Sequence, residues 1–135
     1  MEAETLKTNS PLRNKNRSLN NSLIIFDLPH LIDKMKDEST WVEGKLNAMI
    51  LMNSPEKQIV LAALHEGTEI KSFQSNDSVS FHIIEGKLKF HTRKESVTLD
   101  KGQLLTLQKN IKYRMSTKEE TVILLTFANG TMCQL

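Results

Sequence analysis

Nine short segments in which apolar and polar residues alternate make up most of the chain after Trp41. Successive side chains of a β-strand point to opposite faces, so a period of two is typical of a strand with one buried face. Residues that favour turns separate the segments, as at Glu66-Gly67, Glu85-Gly86 and Asp100-Lys101-Gly102. Short strands with turns every 8–12 residues or so predict an all-β sandwich or barrel. The segments are 45–52, 57–65, 68–73, 78–84, 87–92, 96–99, 103–107, 111–116 and 121–128.

The chain has 135 residues, which is the usual length of one domain, and the sequence divides into three segments. Residues 1–21 contain few large apolar side chains, and we expect a flexible tail there. Residues 22–40 are predicted to hold one amphipathic helix, because Asp27 can cap it and Pro29 suits its first turn. The apolar residues at helical spacing are Leu28, Leu31, Ile32 and Met35. Residues 41–135 form the predicted β-barrel domain.

Composition argues against several partners and compartments. The net charge of +2 is small, and the lysines and arginines are scattered along the chain, so nucleic acid is not an expected partner. No apolar run is long enough to suggest a membrane span, and residues 1–21 lack the apolar core of a secretion signal. The single Cys133 cannot form an internal disulfide, and we expect a free thiol. These features predict a cytoplasmic protein.

The spacing of three glycines resembles that of a known family. Gly67, Gly86 and Gly102 separate strand segments in the order typical of the cupin core, and the likeness extends from about Trp41 to Ala128. The first cupin motif, G-x5-H-x-H-x3/4-E-x6-G, maps without a gap from Gly67 to Gly86, and the second starts at Gly102. The resemblance implies a cupin-type double-stranded β-helix, a jelly-roll barrel, with a short N-terminal helix. The chain is also similar to short bacterial single-domain cupins that begin with a helix and a Trp-bearing strand.

The metal ligands of the two motifs are replaced in this chain. Phe73 and Ser75 stand at the two His positions, Val79 or Ser80 at the Glu position, and Tyr113 at the final His position. Divalent metals at such sites are normally held by imidazole and carboxylate groups, so we expect no metal and no other cofactor. The other substitutions in the second motif are Gln108 for Pro, Asn110 for Gly and Thr117 for Asn.

The resemblance also implies where a ligand would lie. Phe73, Ser75, Val79 and Tyr113 should line the space that a metal would occupy. The surrounding wall would be formed by Phe81, Ile83 and Met115, together with Met49 and Leu51. These side chains suit a mostly apolar small organic molecule held by one or two hydrogen bonds, or they simply fill the core.

Two functions remain open. The first is a metal-free protein that binds or senses a small organic molecule, or serves only as a dimeric partner module. The second is a cupin enzyme of isomerase or dioxygenase type that works through a non-standard residue set or through a metal on His65, His82 or His91. Strand parity places His82 and His91 outside the barrel, as diagonal neighbours at most. No nucleophile elbow, phosphate loop or H-E-x-x-H motif is present.

Two further expectations concern packing. Strands that are apolar on both faces, as at Val60-Leu61 and Ile83-Ile84, need cover on both faces, which predicts a homodimer. The residues expected to be largely buried, each on the apolar phase of a strand, are Trp41, Phe81, Ile83, Leu88, Phe90, Leu105, Leu107, Leu124 and Phe127.

Overall fold

The computed structural model describes residues 23–44 and 46–128, without the side chains of Ser72 and Phe73. The predicted tail over 1–21 and the thiol of Cys133 lie outside the described residues.

Two helices precede the strands in the described part of the chain. Helix α1 spans Leu28–Lys36, and the side chain of its N-cap, Asp27, accepts a hydrogen bond from the backbone N–H of His30 at 3.3 Å. Asp27 and Pro29 thus act as predicted, and the N-terminal helix is confirmed. Helix α2 spans Ser39–Glu43 and contains Trp41. The assignment of Trp41 to a strand is therefore wrong, because a helix of five residues is too short to show a helical period.

All nine predicted strands are present, and each bound lies within one residue of its predicted position. Their bounds are β1 Leu46–Asn53, β2 Lys57–Leu64, β3 Glu69–Gln74, β4 Ser78–Glu85, β5 Lys87–Thr92, β6 Ser96–Asp100, β7 Leu104–Leu107, β8 Lys112–Thr117 and β9 Thr121–Ala128. The strands form two antiparallel sheets, which we name sheet I (order β1-β2-β9-β4-β7) and sheet II (order β3-β8-β5-β6). The all-β prediction is confirmed.

The inner faces of the two sheets share one apolar core. Phe81 of sheet I contacts Phe90 and Tyr113 of sheet II, with ring centroids 5.1 and 5.4 Å apart, respectively. Alternation along β4 places Val79, Phe81 and Ile83 in this core, as expected from the period of two.

The helices cover the outer face of sheet I at β1 and β2. Leu31, Met35 and Trp41 pack against Met49 and Leu61, which lie on the outer side of β1 and β2. The prediction that Met49 and Leu51 line the inner space is therefore wrong, because Ala48 and Ile50 occupy the inner face of β1. Cover from the same chain thus explains why β2 is apolar on both faces: Val60 faces the inner core and Leu61 faces the helices. Because the chain supplies this cover itself, the homodimer stays a prediction.

The burial predictions hold for six of the nine residues. Leu105 and Leu107 are only half-buried because they lie on β7, a four-residue strand at the edge of sheet I. Leu124 is half-buried because it lies on the outer face of sheet I, at the margin of the helix cover. The buried residues are Trp41, Phe81, Ile83, Leu88, Phe90 and Phe127.

The turn at Gly86 carries the chain from sheet I to sheet II. Gly86 has a φ of +88°, and an added Cβ atom would clash with the backbone oxygen of Glu120 and lie 2.6 Å from the Thr121 hydroxyl oxygen. A residue without Cβ is needed here for both reasons. The glycine that the sequence pattern singled out therefore fixes where one sheet ends and the other begins.

Candidate functional site

Four of the residues predicted to line a pocket lie within the inner core. Val79 and Tyr113 are each 3% exposed, and Phe81 and Met115 are buried in the same cluster. The backbone of Phe73 lies opposite Tyr113 in the register of β3 and β8. The pocket lining itself stays a prediction.

The ring of Tyr113 packs between two phenylalanines. It stacks on Phe90, with centroids 5.1 Å apart and planes 22° apart, and meets Phe81 edge-on at 85°. Phe81 and Phe90 also meet edge-on, so the three rings form one cluster. Such aromatic arrangements stabilise a core beyond the area that they bury. Tyr113 therefore serves as a core side chain at the position of the final motif histidine.

Ser75 joins two loops at one end of the barrel. Its hydroxyl oxygen accepts a hydrogen bond from the backbone N–H of Asp77 at 3.0 Å, and its carbonyl oxygen accepts one from Asn110 at 2.8 Å. Asn110 has a φ of +63°, at the position where the motif has Gly. Asn tolerates this left-handed conformation better than most residues, so the turn geometry survives the substitution.

Thr117, at the motif's final Asn position, has a similar supporting role. Its hydroxyl oxygen accepts a hydrogen bond from the backbone N–H of Thr68 at 3.0 Å and donates to the carbonyl oxygen of His65 at 2.7 Å. This buried residue thus ties the end of β8 to the turn between β2 and β3.

The residues at the motif positions do not fit a divalent metal. Ser75, Val79 and Tyr113 supply neither imidazole nor carboxylate. Within residues 23–44 and 46–128, no group of three or more His, Cys, Asp or Glu side chains is arranged to hold a metal ion.

His82 and His91 are not neighbours, and the prediction that they could lie diagonally adjacent is wrong. His82 pairs with Leu104 and Leu124 in sheet I, whereas His91 pairs with Ser96 and Arg114 in sheet II. The turn at Gly86 leads from sheet I to sheet II, so the strands on its two sides do not pair with each other.

A cleft of about 520 Å³ lies at the end of β5 and the start of β8. These strands pair His91 with Arg114 and Thr92 with Tyr113. Of the predicted pocket residues whose side chains are described, Tyr113 alone lines this cleft. The described lining residues are His91, Thr92, Arg93, Lys112, Tyr113 and Arg114.

The wall of the cleft is basic. Arg93, Lys112 and Arg114 are exposed, and none of them forms an ion pair with another described residue. Partial desolvation and the positive charges of Arg114 and Lys89 lower the pKa of His91, while Glu69 acts in the opposite direction. Nδ1 of His91 lies 2.8 Å from the hydroxyl oxygen of Ser96, which fixes the ring.

A second, smaller cleft of about 220 Å³ lies where β4, β7 and β9 adjoin. Val79 lines it, together with the hydroxyl-bearing residues Ser80, Thr106 and Thr126, which are paired across the three strands. No described charged side chain lines this second cleft.

Sequence reasoning did not identify Arg93, Lys112 and Arg114 as site residues. The alternation of β8 indicates that Lys112 and Arg114 share a face opposite Tyr113. The sequence does not show that β8 pairs with β5. This pairing brings Lys112 and Arg114 close to His91 and Arg93.

No helix in the described part of the chain combines the length and apolar character needed to cross a membrane.

Comparison with known proteins gives similarity in structure alone. No family model matches the sequence, and no curated protein does. The structure is similar to the EutQ protein of Clostridium difficile, with a TM-score of 0.67, 15% identity, and coverage of 84% of this chain and 92% of that chain. It is also similar to a cupin-2 domain protein of Shewanella frigidimarina NCIMB 400, with a TM-score of 0.63, 17% identity, and coverage of 78% and 95%.

A third similar structure is a cupin superfamily protein of Desulfitobacterium hafniense DCB-2, with a TM-score of 0.62, 16% identity, and coverage of 64% of this chain and 80% of that chain. These similarities agree with the two antiparallel sheets, the positive-φ glycines at 67, 86 and 102, and the N-terminal helix. The chain therefore has the cupin-type jelly-roll fold.

Proposed function

We propose that this protein is a metal-free cupin-fold protein that binds a small organic molecule in the cleft beside Tyr113. The observation that carries the proposal is the cleft of about 520 Å³ at the paired ends of β5 and β8. Its volume is in the range of small-molecule sites, roughly 300–1,000 Å³. Arg93, Lys112 and Arg114 on its wall carry exposed hydrogen-bond donors of the kind that orient a ligand.

The proposal places the ligand at the end of the barrel and not at its centre. Tyr113 packs on Phe81 and Phe90, so this part of the interior is taken up by aromatic rings. A ligand at the end of β5 and β8 would lie beside Tyr113 without displacing those rings.

The alternative is an isomerase or dioxygenase that uses a non-standard residue set or a metal on His65, His82 or His91. The positions of these histidines favour binding without a metal, since His82 and His91 belong to different sheets. His65 is stacked on Trp41 and hydrogen-bonded through Nε2 to its carbonyl oxygen.

The proposal is tested by screening the protein, isotopically labelled with ¹⁵N, against a panel of neutral and charged small organic molecules. We expect at least one compound to shift the backbone resonances of residues 91–93 and 112–114 in a saturable manner. Resonances of Ser80 and Thr106 in the second cleft serve as the internal control. A panel without any saturable binder, or one whose binders shift only the second cleft, would refute the proposal.

A further inference from the structure

We infer that the ligand of this cleft is a small organic anion whose carboxylate or phosphate group is held by Arg93, Lys112 and Arg114. The inference rests on the proposed function and names the chemical class of the ligand. It starts from the charges that line the cleft: three of the six described lining residues are permanent cations, and none is acidic.

The cleft brings together three cations that form no ion pair with a described residue, unlike Lys36 and Lys87. Lys36 forms an ion pair with Glu120 at 2.6 Å, and Lys87 forms one with Asp100 at 3.3 Å. Arg93, Lys112 and Arg114 form no such pair with a described residue. An anion bound in the cleft would supply the missing counter-charge without breaking an existing pair.

The strand geometry brings two of these cations to one face. Lys112 and Arg114 are exposed and flank the buried Tyr113, so their side chains leave β8 on the same side. Residues two apart on a strand are separated by about 7 Å. An oxyanion between them can accept hydrogen bonds from both, and the planar guanidinium of Arg114 can bind a carboxylate or phosphate through two parallel hydrogen bonds.

The neighbourhood of His91 supports the same sign of ligand. Arg114 lies directly opposite His91 on the paired strand, and Lys89 lies two residues before it on the same face of β5. Together with desolvation, these charges disfavour a further cation at His91 and lower its pKa, whereas Glu69 is the opposing acid. No described residue hydrogen-bonds Nε2 of His91, which leaves this nitrogen for a ligand.

The experiment measures the binding of two anionic probes, inorganic phosphate and malonate, to the full chain by NMR titration. A double variant, Lys112→Gln with Arg114→Gln, removes two cleft charges. The matched control is Lys118→Gln together with Lys101→Gln, which removes two exposed charges on other turns. We expect saturable shifts at residues 91–93 and 112–114, at least a tenfold weaker affinity in the double variant, and little change in the control. The probe that binds with the higher affinity shows whether the cleft prefers a phosphate or a carboxylate group.

Three outcomes would overturn the inference. Equal weakening in the double variant and its control would indicate a non-specific charge effect. Binding of a heparin oligosaccharide across sheet II, without any shift caused by phosphate or malonate, would indicate a polyanionic macromolecule as the partner. A neutral compound that binds the cleft equally well in the wild type and the double variant would refute the anion and leave the proposed function standing, whereas the lack of any ligand refutes both.

Discussion

The imidazole ring of His65 lies stacked on the indole ring of Trp41, with centroids 3.5 Å apart and planes inclined by 16°. Nε2 of His65 also lies 2.7 Å from the carbonyl oxygen of Trp41, and because a carbonyl only accepts, this nitrogen carries a proton. The carbonyl oxygen of His65 in turn accepts hydrogen bonds from the hydroxyls of Thr68 and Thr117. His65 therefore joins helix α2 to the end of the barrel.

Removal of this contact should destabilise the domain in a coupled manner. We expect Trp41→Ala to lower the free energy of unfolding by about 3–5 kcal/mol, as for other large buried aromatics, and His65→Ala by about 1–3 kcal/mol. The double variant should lose less than the sum, by about 0.5–1.5 kcal/mol, because the ring contact is counted twice. Urea unfolding measures each value, with His30→Ala on the exposed surface as the control. Strict additivity would show that the stacked rings contribute no interaction energy.

Two glycines with similar backbone angles allow a matched test of the turn between the sheets. Gly86 and Gly102 have φ values of +88° and +87°, but only at Gly86 would a Cβ atom meet neighbouring backbone. Gly102→Ala should cost about 1–2 kcal/mol from the left-handed conformation alone. Gly86→Ala should cost clearly more, and thermal unfolding of the two variants measures the difference. Similar losses in both variants would contradict the close approach of Glu120 and Thr121 to Gly86.

The pKa of His91 reports the field of the cleft. Desolvation, Arg114 and Lys89 lower the pKa of His91 below its ordinary value of 6.5, so the folded state binds fewer protons at this site than the unfolded state. Stability should consequently fall as the pH drops through 6.5 towards the folded pKa. We expect Arg114→Gln to raise the pKa of His91 and Lys118→Gln to leave it unchanged, as measured by NMR titration of the imidazole. A wild-type value at or above 6.5 would contradict the positive field.

The motif positions can be tested by restoring the expected ligands. A variant with Phe73→His, Ser75→His, Val79→Glu and Tyr113→His should bind Ni²⁺, Mn²⁺ or Zn²⁺ in calorimetry, because imidazole and carboxylate would then stand at all four positions. The same variant with Val79→Gln is the control, and its affinity should be lower. Circular dichroism establishes that each variant is folded. A folded variant that takes up no metal would show that the motif alignment places the wrong residues at the site.

The homodimer is tested by light scattering. Several large apolar side chains remain exposed on the chain, among them Leu104 and Val42. We expect a mass of about twice the 15.4 kDa of the chain at tens of micromolar, and Leu104→Glu, on the edge strand β7, should shift the protein towards monomer. A wild-type monomer under these conditions would contradict the predicted homodimer.

The sequence predicted the positions of the strands better than it predicted which strands pair with each other. Alternation along Val79, Phe81 and Ile83 shows one face of one strand, because side-chain direction depends only on the local backbone. It does not show which strands pair, and for this reason the predicted relative position of His82 and His91 was wrong. For the same reason, the grouping of Arg93 with Lys112 and Arg114 could not be predicted, since it depends on the pairing of β5 with β8.

The order of the strands in sheet I limits when the domain can fold during synthesis. Strand β9, at Thr121–Ala128, lies between β2 and β4, and its partners on both sides precede it in the sequence. Until the ribosome has released β9, β2 and β4 each expose a long unpaired edge with apolar side chains, and such edges invite pairing with other chains. Sheet I can therefore be completed only after translation has passed β9.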